Sequence, residues 1–156
     1  MKRSGRREME IERKFLITKM PSNIDEYDYH IITQGYLCQK PVVRVRREDD
    51  NYYMTYKGEG LMVREEYNLP LTKEAFDTLV AKSEGNIISK KRVIIPYKNH
   101  TIELDIFDEP IAPLVMAEVE FDSKEEADKF EKPDWFAKEV TEDPAYHNVN
   151  MIFKTK

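Results

Sequence analysis

Charged residues return at every second position in separate stretches of this chain, mostly interleaved with Ile, Leu, Val or Phe. The stretches are Glu10-Ile11-Glu12-Arg13-Lys14-Phe15, Arg44-Val45-Arg46, Arg64-Glu65-Glu66, Glu103-Leu104-Asp105 and Glu118-Val119-Glu120. Successive side chains of a strand point to opposite faces, so each stretch has one apolar and one ionised face. A half-buried strand normally varies its polar positions, and here they stay ionised. Several such strands closed with the ionised faces inward would make a water-filled tunnel lined by both signs of charge. That is a site for a polyanion held together with metal ions.

The spacing of turns predicts enough strands to close such a tunnel. Strands are expected over Glu10–Thr18, Ile31–Cys38, Pro41–Arg47, Tyr52–Gly58, Met62–Leu69, Ile87–Pro96, Thr101–Phe107 and Val115–Phe121. Short gaps such as Glu48-Asp49-Asp50-Asn51 and Lys98-Asn99-His100 favour antiparallel hairpins. Thr72 can cap a helix with Ala75, Phe76, Leu79 and Val80 on its apolar face. Ser123-Lys124-Glu125-Glu126 fits the start of another, with Ala127 and Phe130 turned inward and Pro133 as its stop. Residues 135–153 read as one or two short helices packed on the barrel. The expected class is mostly β (α+β), a closed eight-stranded antiparallel β-barrel tunnel with a few helices outside.

The 156 residues suit a single domain over 9–156, preceded by a basic tail, 1–8, containing Lys2, Arg3, Arg6 and Arg7. No apolar run approaches the roughly 18 residues of a membrane span. Cys38 is the single cysteine, which excludes an internal disulfide and fits a reducing cytoplasm; it reads as a half-buried thiol. A net charge of −5 argues against non-specific nucleic-acid binding, while leaving room for a local anion site.

On the ionised face, the acids are Glu10, Glu12, Glu66, Glu103, Asp105, Glu118 and Glu120. The bases are Lys14, Arg44, Arg46, Lys57, Arg64, Lys90 and Arg92. Alternate residues on a strand lie roughly 6.6 Å apart, a spacing from which two carboxylates converge on Mg²⁺ or Mn²⁺. His30, His100 and His147 are scattered, so a soft-metal site is not expected. Arginine forks and lysine ammoniums suit phosphate. With no Walker-type glycine loop, any grip on phosphate falls to these side chains. Trp135 reads as core, and Tyr36 suits either packing or a ligand.

The motifs EIERKFL (10–16), QGYL (34–37), VRVRR (43–47), MTYKGEG (54–60), REEY (64–67), KKR (90–92), IELDIF (102–107), AEVEF (117–121) and EVTEDPAYHN (139–148) occur in this order. In that set the chain resembles the CYTH superfamily of triphosphate tunnel metalloenzymes, over nearly its whole length from Met9. Its compact form is most similar to small bacterial inorganic triphosphatases. The resemblance implies Mg²⁺ or Mn²⁺ and a small-molecule triphosphate substrate, hydrolysed to pyrophosphate and orthophosphate. It implies metal ligands among Glu10, Glu12, Glu66, Glu103, Asp105, Glu118 and Glu120. Lys14, Arg44, Arg46, Lys57, Arg64, Lys90 and Arg92 would hold phosphate, and Glu10, Glu12, Lys14 and Asp105 would form the catalytic group. A class IV-type adenylate cyclase and a non-catalytic polyphosphate or nucleotide sensor are the alternatives. No membrane or nucleic-acid partner is expected; a homodimer is the one assembly considered. Ala145 departs from the pattern, since relatives often have Arg before the tail tyrosine.

Overall fold

A computed structural model describes residues 7–60 and 62–153. All nine strands pair antiparallel. The first, β1 (Arg7–Ile17), leads to β2 (Tyr29–Cys38), β3 (Val42–Glu48), β4 (Asn51–Lys57) and β5 (Val63–Pro70). Helix α1 (Lys73–Val80) precedes β6 (Glu84–Tyr97), β7 (His100–Phe107) and β8 (Val115–Glu120). Helix α2 (Lys124–Lys129) and a short strand, β9 (Phe136–Glu139), follow. Around the sheet the order is β5-β4-β3-β2-β6-β7-β8-β1, and β1 pairs back onto β5. Closure removes the open edges that strands of this length would otherwise present.

β1 changes partners along one edge. From Arg7↔Tyr67 to Ile11↔Val63 that edge belongs to β5, and beyond it β9 takes over at Phe15↔Glu139 and Ile17↔Phe136. Its other edge pairs with β8 from Glu12↔Glu120 to Leu16↔Met116. β1 begins at Arg7, within the stretch expected as a basic tail; residues 1–6 lie outside the described residues.

The eight expected strands are all present, with β6 running three residues earlier than its pattern suggested. Both helix caps form: Thr72 accepts from the Ala75 N–H and Ser123 from the Glu126 N–H. Two expectations need correction. α2 ends at Lys129, where Phe130 turns extended (ψ 127°) to bury its ring, so Pro133 does not stop it. The tail is strand β9 followed by two single-turn 3₁₀ helices, Pro144–Tyr146 and Asn148–Asn150, because the edge left by β5 gives residues 136–139 a backbone to pair with.

Two apolar clusters fix the barrel. Outside it, Phe15, Val93, Leu104 and Val119 lie under Ala127, Phe130 and Phe136, with Phe15 and Phe136 ring centres 4.7 Å apart. Burying an aromatic ring such as Phe15 stabilises by about 2–3 kcal/mol. Trp135, expected as core, is only partly buried and packs edge-on against Phe136 at the margin of this cluster. Inside, Tyr36, Val42, Ile88, Phe107 and Met116 meet Val140, Met151 and Ile152 of the tail. Those strand residues share the inward phase of Gln34, Arg44, Lys90, Asp105 and Glu118, so the apolar plug continues the charged lining along the same strands. No helix among the described residues is long and apolar enough to cross a membrane.

Candidate active site

Register brings the acids together. Glu12 lies opposite Glu120 and Lys14 opposite Glu118 across β1 and β8. Carboxylate oxygens of Glu10, Glu12 and Glu120 all fall within 4.8 Å of one another. Glu10 and Glu12 sit beside cations that make such crowding tolerable, and Glu120 is exposed. Lys57 Nζ donates to both oxygens of Glu10 at 3.0 Å. Lys14 Nζ donates to Glu12 Oε1 at 3.0 Å and to Glu118 Oε1. Burial opposes the Lys14 charge, but Glu118 and Glu12 outweigh it and raise its pKa. For Lys57 burial wins over Glu10, and its pKa falls.

The opposite wall is basic. Lys90 donates to Asp105 Oδ2 at 2.7 Å, and Arg92 grips both oxygens of Asp105 at 2.8 and 2.9 Å. Arg92 also reaches Glu118 at 3.1 Å. Despite its own burial, Glu118 is held well below the usual carboxylate range by Lys14, Arg92 and Lys90. Burial pushes the Lys90 ammonium down to about 8, against the pull of Asp105. Arg46 Nε donates to Gln34 Oε1 at 2.7 Å and Nη1 to the Tyr53 hydroxyl at 3.3 Å. Arg44 Nη2 donates to Thr55 Oγ1 at 3.1 Å, and its buried Nε has no partner among the described residues.

These walls enclose a cavity of about 220 Å³. It is lined by Glu10, Glu12, Lys14, Arg44, Arg46, Lys57, Arg64, Lys90, Arg92, Glu103, Glu118 and Glu120, every expected site residue except Glu66 and Asp105. Asp105 lies behind the wall, 0% exposed, and Glu66, 1% exposed, borders the adjoining hollow instead. Asp105 is taken up by Lys90 and Arg92, while Glu66 accepts from Asn68 at 2.8 Å and lies 3.8 Å from Lys57. A wider hollow of about 700 Å³ shares Arg44, Arg46, Glu48 and Tyr53 with the cavity and continues past Asn51 and Asn68.

Sequence reasoning missed the neutral residues that orient the charged ones, namely Gln34, Tyr53, Thr55 and Asn68. It also missed Glu48 and the tail residues His147, Asn148 and Val149, which complete the lining. A neutral residue in the inward phase gives no signal of its own. Tyr36 does line the cavity, and Gln34 Nε2 donates to its hydroxyl at 3.2 Å. Asn148 Oδ1 accepts from Lys90 at 3.1 Å, and His147 Nε2 lies 3.0 Å from the Thr141 carbonyl.

The CYTH domain family matches residues 8–150. This chain belongs to the CYTH family. Among CYTH proteins, an inorganic triphosphatase of Nitrosomonas europaea is 38% identical over 144 residues, 89% of this chain and 93% of that protein. An inorganic triphosphatase of Acetivibrio thermocellus is 34% identical over 152 residues, 92% of each. A crystal structure of an inorganic triphosphatase, 34% identical, superposes with a TM-score of 0.69 over 92% of this chain and 94% of that one. In this CYTH barrel, seven bases and six acids line the cavity. A lining so close to neutral accepts a polyanion best when cations enter with it.

Proposed function

We propose that this chain hydrolyses linear triphosphates, inorganic tripolyphosphate foremost, to pyrophosphate and orthophosphate. The observation that carries the reading is the cavity with a carboxylate cluster on one wall and buried guanidinium and ammonium groups on the other. Its similarity to inorganic triphosphatases over some nine-tenths of the chain supports the same reaction.

Glu10, Glu12 and Glu120 would hold Mg²⁺ or Mn²⁺. Three converging carboxylates are hard oxygen donors, and Cys38 and the histidines are no part of the cluster. When bound, the ion neutralises phosphate charge and acidifies a coordinated water. The remaining work belongs to the side chains. Arg44 and Arg46 hold phosphate oxygens, oriented through Thr55, Gln34 and Tyr53. Lys90 and Arg92, fixed by Asp105, stabilise charge that builds on the departing phosphate. Lys14 bridges Glu12 and Glu118 and fixes their relative position, and Asp105 acts by orienting cations from behind the wall.

The test is phosphate release from tripolyphosphate, pyrophosphate, ATP and thiamine triphosphate with Mg²⁺, Mn²⁺ or chelator. Release from tripolyphosphate that chelator abolishes is expected. Cyclic AMP from ATP without tripolyphosphate turnover would overturn the reading in favour of a cyclase. Tight tripolyphosphate binding without turnover would leave a sensor.

A further inference from the structure

Lys14 lies where β1 no longer has β5 beside it, since that pairing ends at Ile11↔Val63. Its backbone is held by the tail instead. The Lys14 N–H donates to Thr141 Oγ1 at 2.9 Å, and the Lys14 carbonyl accepts from the Val140 N–H at 2.8 Å. The Thr141 hydroxyl spends its single proton on Glu139 Oε2 at 2.6 Å, which leaves a lone pair for Lys14. Glu139 is fixed in turn by Arg13, whose Nε and Nη2 reach its two oxygens at 2.8 and 2.6 Å. Arg13 Nη1 is anchored on the Ala127 carbonyl at 2.7 Å. The Thr141 carbonyl also meets His147 Nε2 at 3.0 Å, and His147 lines the cavity.

Thr141 is 2% exposed and lies outside the cavity lining, yet its side chain serves one wall and its carbonyl another. We propose that Thr141 is a positioning residue for Lys14, setting where the ammonium sits between Glu12 and Glu118 through a hydroxyl oriented by the Arg13–Glu139 pair. This rests on the reading of Glu12 as a metal ligand. The reason is steric economy: Lys14 Nζ touches both carboxylates, so any slip of the β1 backbone moves the ammonium relative to Glu12. Small misplacements of charged groups at a reacting centre cost large factors in rate.

The test compares Thr141→Val, which keeps the shape and removes the hydroxyl, with Thr141→Ser, which keeps the hydroxyl. Thr141→Val is expected to lower kcat roughly tenfold and weaken Mn²⁺ binding several-fold, with KM for tripolyphosphate changing less than about threefold. The Lys14 amide should lose its protection from hydrogen exchange in the same variant. Thr141→Ser should restore kcat, Mn²⁺ affinity and amide protection to within about twofold of the parent. Parent-like kcat and Mn²⁺ affinity in Thr141→Val overturn the proposal, as does a Thr141→Ser variant as impaired as Thr141→Val. Should Thr141→Val not fold, Glu139→Gln carries the test; it is expected to cost about threefold in kcat, and an unchanged kcat overturns the proposal. If the parent fails to hydrolyse tripolyphosphate, the functional reading falls. Amide exchange at Lys14 and Mn²⁺ affinity then decide the clamp separately.

Discussion

Asp105 has no exposure to solvent, yet two cations converge on its oxygens. Asn at this position keeps the shape and removes the charge that justifies burying Lys90 and Arg92. Breaking a buried pair from one side costs about 3–5 kcal/mol, and the low end applies because Arg92 retains Glu118 and Glu103. Urea unfolding of Asp105→Asn should show that loss in its midpoint without a changed slope. Glu12 and Arg46 separate two other effects. Glu12→Gln withdraws a carboxylate from the acid cluster and should lower kcat by about 10²-fold or more at saturating Mg²⁺. Arg46→Ala should chiefly raise KM for tripolyphosphate, by about tenfold, because it removes a proposed phosphate contact and leaves the acid cluster intact. Steady-state phosphate release measures both. All charged members of the lining except Glu48 were legible, because an ionised residue at every second position has few uses on a half-buried strand. Gln34 and Asn68 were not, since a neutral amide in the same phase reads equally well as surface.

The strands were legible as elements because their alternation is local, and β9 was not because its reason for existing is distant. Phe-Ala-Lys-Glu has no pattern long enough to register as a strand; it extends because β1 offers it an edge. The tail beyond it docks through one close approach. Gly85 opens β6 at φ 63°, and a Cβ there would come within 2.6 Å of the Ile152 carbonyl oxygen. That carbonyl accepts from the Asn86 N–H. Gly85→Ala combines left-handed strain of order 1–2 kcal/mol with a clash against backbone. It should lower thermal stability and also kcat, since the displaced tail carries His147 and Asn148; calorimetry and turnover are the paired measurements. His147 gives the tail a pH signature. Burial chiefly lowers its pKa, with Lys14 and Arg64 adding to the effect. The unfolded chain therefore binds the proton first, so the stabilising effect is complete above about pH 6.5 and lost as pH falls below it toward the folded value. The urea-midpoint difference between the parent and His147→Asn should shrink from pH 7.5 to pH 5.5. A difference that grows would contradict a neutral buried imidazole.

At the scale of the whole barrel, the phase of eight strands was enough to expect closure, because eight is a size whose interior side chains can surround one small ligand. What phase cannot give is how far the lumen stays open. That depends on Met151, Ile152 and Val140 meeting Tyr36 and Val42 inside it, contacts between the last residues and the middle of the chain. The tail motif carried a resemblance but gave no role to His147 or Asn148. β1 pairs with β8 and β9 across 100 residues of chain or more, the kind of long-range pairing that slows folding. The first strand supplies Glu10, Glu12 and Lys14, and the wall opposite the acid cluster is finished by residues near 148. A nascent chain still short of that point holds its acids with the chamber incomplete. The chamber is thus whole only when the first strand and the tail have met, so a chain cut before residue 147 would carry every acid of the cluster and lack part of the lining that faces it.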